Sequence, residues 1–100
     1  MDLPKEFDLY AARMRTEFDS DYGGQTLLWS TEQTNIVLEM YALFKQATVG
    51  DVNVPQPWMI DVVSFRKWGV WSSLQGMSKE QAMLKYINRA KELLSRHSPS

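Results

Sequence analysis

The sequence predicts an all-α fold, a single bundle of four helices, on the basis of three observations. Apolar residues recur at helical spacing in four segments, and no long stretch alternates apolar and polar residues as a half-buried strand does. One hundred residues with 44% hydrophobic content suffice for one small core. Glycine or proline residues separate most of the segments. We therefore expect one domain over residues 1–97 and a frayed tail at residues 98–100.

The first helix is predicted from about Leu3 to Arg15. Its apolar stripe consists of Phe7, Tyr10, Ala11 and Met14. From Thr16 to Ser30 this periodicity fails, and aspartates, serines and paired glycines predict a long loop. Because the loop also holds large apolar residues, it either packs on the body for stability or forms a flap over a ligand site.

The second helix is predicted from about Thr31 to Thr48, with Ser30 or Thr31 as its N-cap and Gly50 just beyond its end. Between residues 36 and 44 only Glu39 is charged, so the apolar surface is wider than one stripe. Two explanations fit this surface. The helix lies at the centre of the core, or it also lines an apolar groove.

Residues 51–61 contain two prolines and predict an ordered crossover, for which Trp58 and Met59 offer anchoring contacts. The third helix is predicted from about Asp61 to Gln75, with Gly76 as its C′ residue. Ser78 and Gln81 form a capping box at the start of the fourth helix, which is expected to run towards Arg96.

Composition argues against several classes of function. The chain has no cysteine and one histidine, His97, near its end, so we expect no catalytic centre, metal site or cofactor. Phosphate-binding glycine loops and calcium loops are not found. A net charge of −1 disfavours nucleic-acid binding. Without a secretory signal or an apolar stretch of about 20 residues, we expect a cytoplasmic protein with no transmembrane segment.

The remaining candidates for chemistry are basic and aromatic. Tyr41 and Lys45 stand four residues apart on one helical face, Phe44 precedes that lysine, and Lys67 is followed by Trp68. If the second and third helices pack together, the two lysines could converge on an anion. The same residues also suit a plain structural role, since lysine favours a helix C-terminus and tyrosine is often half-buried.

Several motifs, in order along the chain, resemble the acyl-CoA-binding protein family. They are YALFKQATVGDVN from Tyr41, P-x-M-x-D at 57–61, K-W-x-x-W at 67–71, G-M-S-K-E at 76–80 and A-M-x-x-Y at 82–86. The resemblance implies an up-down-down-up bundle that binds medium- to long-chain fatty acyl-CoA esters without catalysis. The nucleotide would lie at the surface, and the acyl chain would lie in an apolar groove.

The resemblance also implies roles for individual residues. Tyr41, Lys45 and Lys67 would contact the 3′-phosphate region of the nucleotide. Phe44 would lie against adenine, and Tyr86 would line the site from the fourth helix. In the first helix, Phe7 and Arg15 correspond to the phenylalanine and the basic position of the family. These last two complete the predicted site.

The sequence departs from the family pattern at several points, among them the absence of basic residues at positions 62–65. Phe44 stands where tyrosine is usual, so a ring is kept and a hydroxyl is lost, and Trp58 stands where glycine is usual. The favoured hypothesis is a monomeric carrier and buffer of acyl-CoA, which acyl-CoA-using enzymes could draw on. The alternatives are a helical protein-interaction module that has lost the ligand and an accessory domain of an enzyme.

Overall fold

A computed structural model of the chain describes residues 2–18 and 31–97, and its secondary structure within these ranges is entirely helical. The described residues form four α-helices: α1 (Leu3–Arg13), α2 (Thr31–Thr48), α3 (Val62–Ser72) and α4 (Lys79–His97). The all-α prediction is confirmed. Most of the predicted loop, the Ser30 cap and the tail at 98–100 lie outside the described residues.

The first helix ends differently from the prediction. Its α-helical part stops at Arg13, and the chain continues as a π-helical turn, Met14–Phe18. Within this wider turn, the Thr16 hydroxyl donates to the carbonyl oxygens of Ala12 (3.1 Å) and Arg13 (3.3 Å). Arg15 therefore lies on a π-helical turn rather than at the end of a regular α-helix.

The third helix is shorter than predicted, because Asp61 caps it and Ser72 ends it. The Asp61 carboxylate accepts from the amide of Ser64 at 3.2 Å. After Ser72 the bonds tighten to i+3 spacing, as in the bond from the Gln75 amide to the Ser72 carbonyl at 3.1 Å. Gly76, with φ of +95°, ends these turns and is not the C′ residue of the helix.

The other predicted boundaries agree with the structure. Gly50 has a φ of +97°, the left-handed region that an L side chain rarely adopts, and α2 ends just before it at Thr48. The capping box at the start of α4 is present: Ser78 and Gln81 each accept the other's backbone amide through the side chain, both at 3.1 Å.

Helices α1 and α4 run in the same direction. The Phe7 ring packs edge-on against Tyr86 with centroids 5.1 Å apart, and Lys91, further along α4, contacts Tyr10, further along α1. Lys91 also forms an ion pair with Glu6 at 3.3 Å. Residue numbers therefore rise together along the two helices.

Helix α2 runs against α4 and parallel to α3. Across α2 and α4, the Phe44 ring meets Tyr86, while Glu39, earlier in α2, pairs with Arg89, later in α4. Across α2 and α3, the pairs Tyr41–Lys67 and Lys45–Trp71 keep the same order. The described helices therefore have the up-down-down-up arrangement that the resemblance implied.

The core lies where α2 and α4 meet α1. Helix α4 contributes one stripe, and α2 buries residues on more than one side. Both explanations for the wide apolar surface of α2 apply, because the helix belongs to the core and also lines a cavity. The core cluster consists of Phe7, Met14, Ile36, Met40, Leu43, Ala47, Ala82, Tyr86, Ile87, Ala90, Leu93 and Leu94.

The crossover between α2 and α3 is held by the tryptophans of α3. The Trp71 indole donates to the Gly50 carbonyl, and the Trp68 indole donates to the Val54 carbonyl, both at 2.8 Å. Trp58 and Met59 are instead exposed, so the expectation that they anchor this segment is wrong. The crossover is instead attached through its backbone carbonyls, which accept hydrogen bonds from the side chains of α3.

A buried glutamine joins α2 to the turn before α4. Gln46 is fully buried, and its Nε2 donates to Asp51 Oδ1 at 2.9 Å and to the Met77 carbonyl at 2.8 Å. Asp51 Oδ1 also accepts from the Gly76 amide at 2.8 Å. These two hydrogen bonds, from Gly76 first and then Gln46, lower the pKa of Asp51 below its ordinary value of 3.8.

We expect Asp51→Asn to reduce stability at neutral pH and to flatten its pH dependence. The variant keeps the acceptor oxygen but loses the charge that the two donors favour. A carboxyl group with a lowered folded-state pKa stabilises the fold above its unfolded-state pKa, and this contribution disappears as the pH falls through the folded value. In urea unfolding, the native chain should therefore have a higher free energy of unfolding than Asp51→Asn above about pH 5, and this difference should shrink below about pH 4. A difference that is unchanged at pH 3 would contradict a stabilising role for the Asp51 charge.

Candidate functional site

A cavity of about 220 Å³ lies between the α1 end, the middle of α2 and the first half of α4. One part of its wall is aliphatic or thioether, and the other part is aromatic with one guanidinium. Such a mixed wall suits a ligand that is apolar in one part and anionic or aromatic in another. The lining residues are Ala11, Met14, Arg15, Val37, Met40, Tyr41, Phe44 and Tyr86.

Three aromatic rings from three helices form the base of this site. Phe44 stacks on Phe7 with centroids 5.8 Å apart and planes inclined by 27°. Tyr86 meets Phe7 edge-on at 5.1 Å and Phe44 at 6.3 Å. Phe7 is only 2% exposed and lies outside the cavity lining, whereas Phe44 and Tyr86 reach the cavity. Phe7 therefore supports the other two rings from behind.

Where α2 and α3 pack together, two lysines lie above aromatic rings. The ammonium of Lys67 is 5.2 Å from the centre of the Tyr41 ring, and that of Lys45 is 5.0 Å from the centre of the Trp71 ring. Both distances are typical of cation–π contacts. An ammonium has three N–H donors, so a ring contact orients the lysine and leaves donors for an anion.

Tyr41 connects the two parts of the site. Its ring both lines the cavity and lies beneath Lys67. Arg15, on the π-helical turn, is exposed and borders the cavity from the α1 side. Cationic groups therefore stand on two sides of an aromatic site, although the whole chain carries a net charge of −1. Such a local arrangement can hold an anionic aromatic ligand.

The structure thus brings together most of the residues singled out in the sequence. Four of them line the cavity: Arg15, Tyr41, Phe44 and Tyr86. Lys45 and Lys67 adjoin it across α2, and Phe7 lies behind it. Sequence analysis missed the ring partner of Lys45, Trp71, and the apolar wall formed by Ala11, Met14, Val37 and Met40. The spacing of Val37, Tyr41 and Phe44, at i, i+4 and i+7, was a signal for part of that wall.

A second, wider groove of about 790 Å³ lies between α2, α3 and α4. Its floor includes Leu43, Phe65 and Leu74. At its rim, Arg89 bonds Glu39 at 3.0 Å and Glu92 at 2.9 Å. The hydrogen bond that Arg89 donates to the Glu39 carboxylate is the main reason that the pKa of Arg89 is raised. This rim is a satisfied ion-pair network, and the predicted site residues line the other cavity.

Two further properties bear on what the site can be. Across residues 2–18 and 31–97, histidine, aspartate and glutamate side chains do not gather in groups that could hold a metal ion. The helices of the same part of the chain are too short or too polar to cross a membrane.

Comparisons with known proteins agree with the fold and identify the family. A family model described as "Acyl CoA binding protein" matches residues 5–90. The chain is similar to acyl-CoA-binding domain-containing protein 1 of Oryza sativa subsp. japonica, with 38% identity over 94 residues covering 94% of this chain and 91% of the relative.

Two solved structures have the same fold. The crystal structure of Oryza sativa acyl-CoA-binding protein 2 matches with a TM-score of 0.79 and 35% identity, over 97% of this chain and 94% of the other. The acyl-CoA-binding protein of Moniliophthora perniciosa matches with a TM-score of 0.78 and 30% identity, over 100% of this chain and 87% of the other.

The buried position of Phe7 gives a stability prediction. We expect Phe7→Ala to lower the free energy of unfolding by about 3–5 kcal/mol, because it opens a cavity beneath two rings. Urea unfolding followed by circular dichroism would measure the loss. Leu9→Ala, at a position of the same helix that is 57% exposed, serves as the control and should change stability by no more than about 0.5 kcal/mol. Similar effects of both variants would show that Phe7 is not a core residue.

Proposed function

Because this chain belongs to the acyl-CoA-binding protein family, whose members are named as binding proteins and not as enzymes, we propose that it is a carrier and buffer of medium- to long-chain fatty acyl-CoA esters. The ligand is an anionic nucleotide joined to a hydrocarbon chain. A carrier for it needs local cations beside an aromatic surface and an adjoining apolar wall. The mixed cavity and its two neighbouring lysines meet these needs.

The observation that carries the proposal is the pair of ring-supported lysines beside Tyr41. In the proposed complex, Lys45 and Lys67 donate to the 3′-phosphate region of the nucleotide, and Tyr41 contacts the same region. The ring contacts at 5.0 and 5.2 Å already restrict both side chains, so less conformational entropy is lost on binding. The phosphate contacts would orient the ligand and distinguish it from a free fatty acid.

Adenine would lie against Phe44. Its ring is backed by Phe7 and flanked by Tyr86, so a flat base meets a fixed aromatic surface. Arg15 would add a cation from the opposite side of the cavity. We assign Phe7 a supporting role, because it is buried behind the cavity and outside its lining.

The acyl chain would follow the apolar wall formed by Ala11, Met14, Val37 and Met40. Burying one methylene group contributes about 0.8 kcal/mol, so a long chain contributes more in total than two or three phosphate contacts at about 1.5–3 kcal/mol each. The hydrocarbon part would therefore dominate affinity. We further propose that the carrier acts as a monomer in the cytoplasm and passes its ligand to acyl-CoA-using enzymes.

Isothermal titration with palmitoyl-CoA tests the nucleotide end. We expect tight one-to-one binding by the native chain, and a loss of about tenfold to a hundredfold in affinity for each of Lys45→Ala and Lys67→Ala, since each loses one charge-assisted contact. Free CoA and palmitate should bind far more weakly than the ester.

Lys85→Ala is the matched control, because Lys85 is an exposed lysine that borders the wider groove on the other side. It should leave the affinity unchanged. Equal losses for all three lysine variants would point to a general charge effect and contradict the assigned site. A folded native chain that binds no acyl-CoA ester would instead favour an interaction module that has lost the ligand.

A series of saturated acyl-CoA esters tests the apolar end. We expect affinity to rise by up to about fourfold for each added methylene until the apolar wall is covered, as 0.8 kcal/mol per group requires. Titrations of esters from octanoyl to stearoyl would measure the slope and the length at which it levels off. An affinity independent of chain length would show that the hydrocarbon stays in solvent.

A further inference from the structure

The segment that leads into α3 exposes a continuous group of large apolar side chains. We call it the apolar tip, and it consists of Trp58, Met59, Ile60, Val62 and Val63, whose exposed fractions are 83, 74, 90, 60 and 56%. Scattered exposed apolar residues are normal, but a contiguous set of this kind in a globular domain marks an interaction surface. The proposed acyl-CoA site uses none of these residues.

The tip is a projection and not a groove. Exposures of this size mean that the side chains stand out from the body, and the two cavities described above are lined by other residues. A partner helix or peptide anchors best in a concave surface. A protruding set of tryptophan and aliphatic side chains instead suits a soft, apolar phase into which it can insert.

The composition of the tip also favours a lipid interface. Tryptophan has an apolar body and one N–H donor, which is why it gathers at the boundary between lipid headgroups and acyl chains. Met59, Ile60 and Val63 add flexible and branched hydrocarbon around it. The backbone behind the tip is fixed, since the Asp61 carboxylate caps α3 and the Trp68 indole bonds the Val54 carbonyl.

Charged residues lie within the tip segment and directly after it. Arg66, which is exposed, lies one helical turn after Val62, about 6 Å further along the α3 axis, and Lys67 follows it. Segments that lie at a bilayer surface insert their apolar side chains by about 5–10 Å. If α3 stands along the bilayer normal, insertion to that depth leaves Arg66 close to the headgroups. Asp61, between Ile60 and Val62, offsets this positive charge. Docking therefore rests on the apolar side chains, for which a zwitterionic lipid suffices.

The tip also lies at the same end of the bundle as part of the lining of the candidate site. Because α2 and α3 are parallel, the start of α3 lies beside the first turns of α2, where Val37 lines the cavity. Helix α1 ends at this same end, and Arg15 borders the cavity from there. A lipid surface met by the tip would therefore lie near this end of the candidate site.

We propose that the apolar tip is a docking element for a lipid bilayer, with Trp58, Met59 and Ile60 inserted at the headgroup boundary. Docking depends on the tip alone and does not require the proposed function. Where both hold, the bilayer lies near that end of the candidate site, so an acyl chain can pass between them over a short distance.

Co-sedimentation of the full chain with phosphatidylcholine vesicles, in the absence of any acyl-CoA, tests the proposal. We expect measurable binding by the native chain and a loss of about tenfold or more for Trp58→Ala with Ile60→Ala, because two large side chains no longer leave water. Leu84→Ala is the control, since Leu84 is 52% exposed on α4, outside the tip, and its loss should leave vesicle binding unchanged.

A second measurement locates the inserted side chain. Lipid brominated on its acyl chains should quench the tryptophan fluorescence of the native chain and have much less effect on Trp58→Phe, which keeps an apolar ring and should still sediment with vesicles. Palmitoyl-CoA titration of the same variants separates the two proposals, since a tip variant should keep its ligand and Lys45→Ala should keep its vesicle binding.

Three results would overturn the docking proposal. They are a native chain that does not sediment with vesicles, vesicle binding that survives loss of both Trp58 and Ile60, and light scattering that shows self-association abolished by Trp58→Ala without vesicle binding. The last result would assign the tip to an interface between copies of this chain.

Discussion

The hydrogen bonds of Gln46 are the constraint on which the arrangement of the helices depends. One buried amide bonds Asp51, at the start of the crossover, and the Met77 carbonyl, just before α4, while Asp51 also holds the Gly76 amide. Three parts of the chain thus meet at the end of α2. The Oε1 atom of Gln46 is buried without a hydrogen-bond partner among the described residues, which lowers the stability that the junction contributes. Fixing this junction fixes where the crossover leaves α2, where the turns after α3 lie and where α4 begins.

The parallel arrangement of α2 and α3 creates the candidate site. A short hairpin between α2 and α3 would make them antiparallel and could not pair Tyr41 with Lys67 and Lys45 with Trp71 in the same order. The crossover instead returns the chain to the start of α2. The hydrogen bonds from the indoles of Trp68 and Trp71 to crossover carbonyls hold it there. Trp71, which bonds the crossover, also forms the cation–π contact with Lys45. One residue therefore serves both the fold and the candidate site.

Helix α2 divides its surface between stability and binding. Leu43 and Ala47 belong to the core, Met40 belongs to the core and also lines the cavity, and Tyr41 and Phe44 are half-buried and line the cavity. Phe44 does both, because Phe7 stacks on it from the core side. A nearly neutral protein can hold a highly charged nucleotide in this way, since only the cations beside α2 need to face it. On the opposite side, Arg89 is engaged by Glu39 and Glu92, and its charge is satisfied within the protein.

The sequence by itself determined the number and type of helices, the breadth of the apolar surface of α2 and the helix boundaries at Gly50 and Ser78. Of these two boundaries, Gly50 marks the end of α2 and Ser78 the start of α4. All of these features follow from local preferences: periodicity, capping and the φ angles open to glycine. It also indicated most of the site, since Tyr41 and Lys45 share a face through helical spacing and the motifs resemble a known family. Only the tertiary structure decided how Lys67 reaches Tyr41, why Phe7 supports rather than lines the site, that Gln46 joins three segments, and that Trp58 projects into solvent. Each of these depends on contacts between residues distant in the chain, which local pattern does not encode.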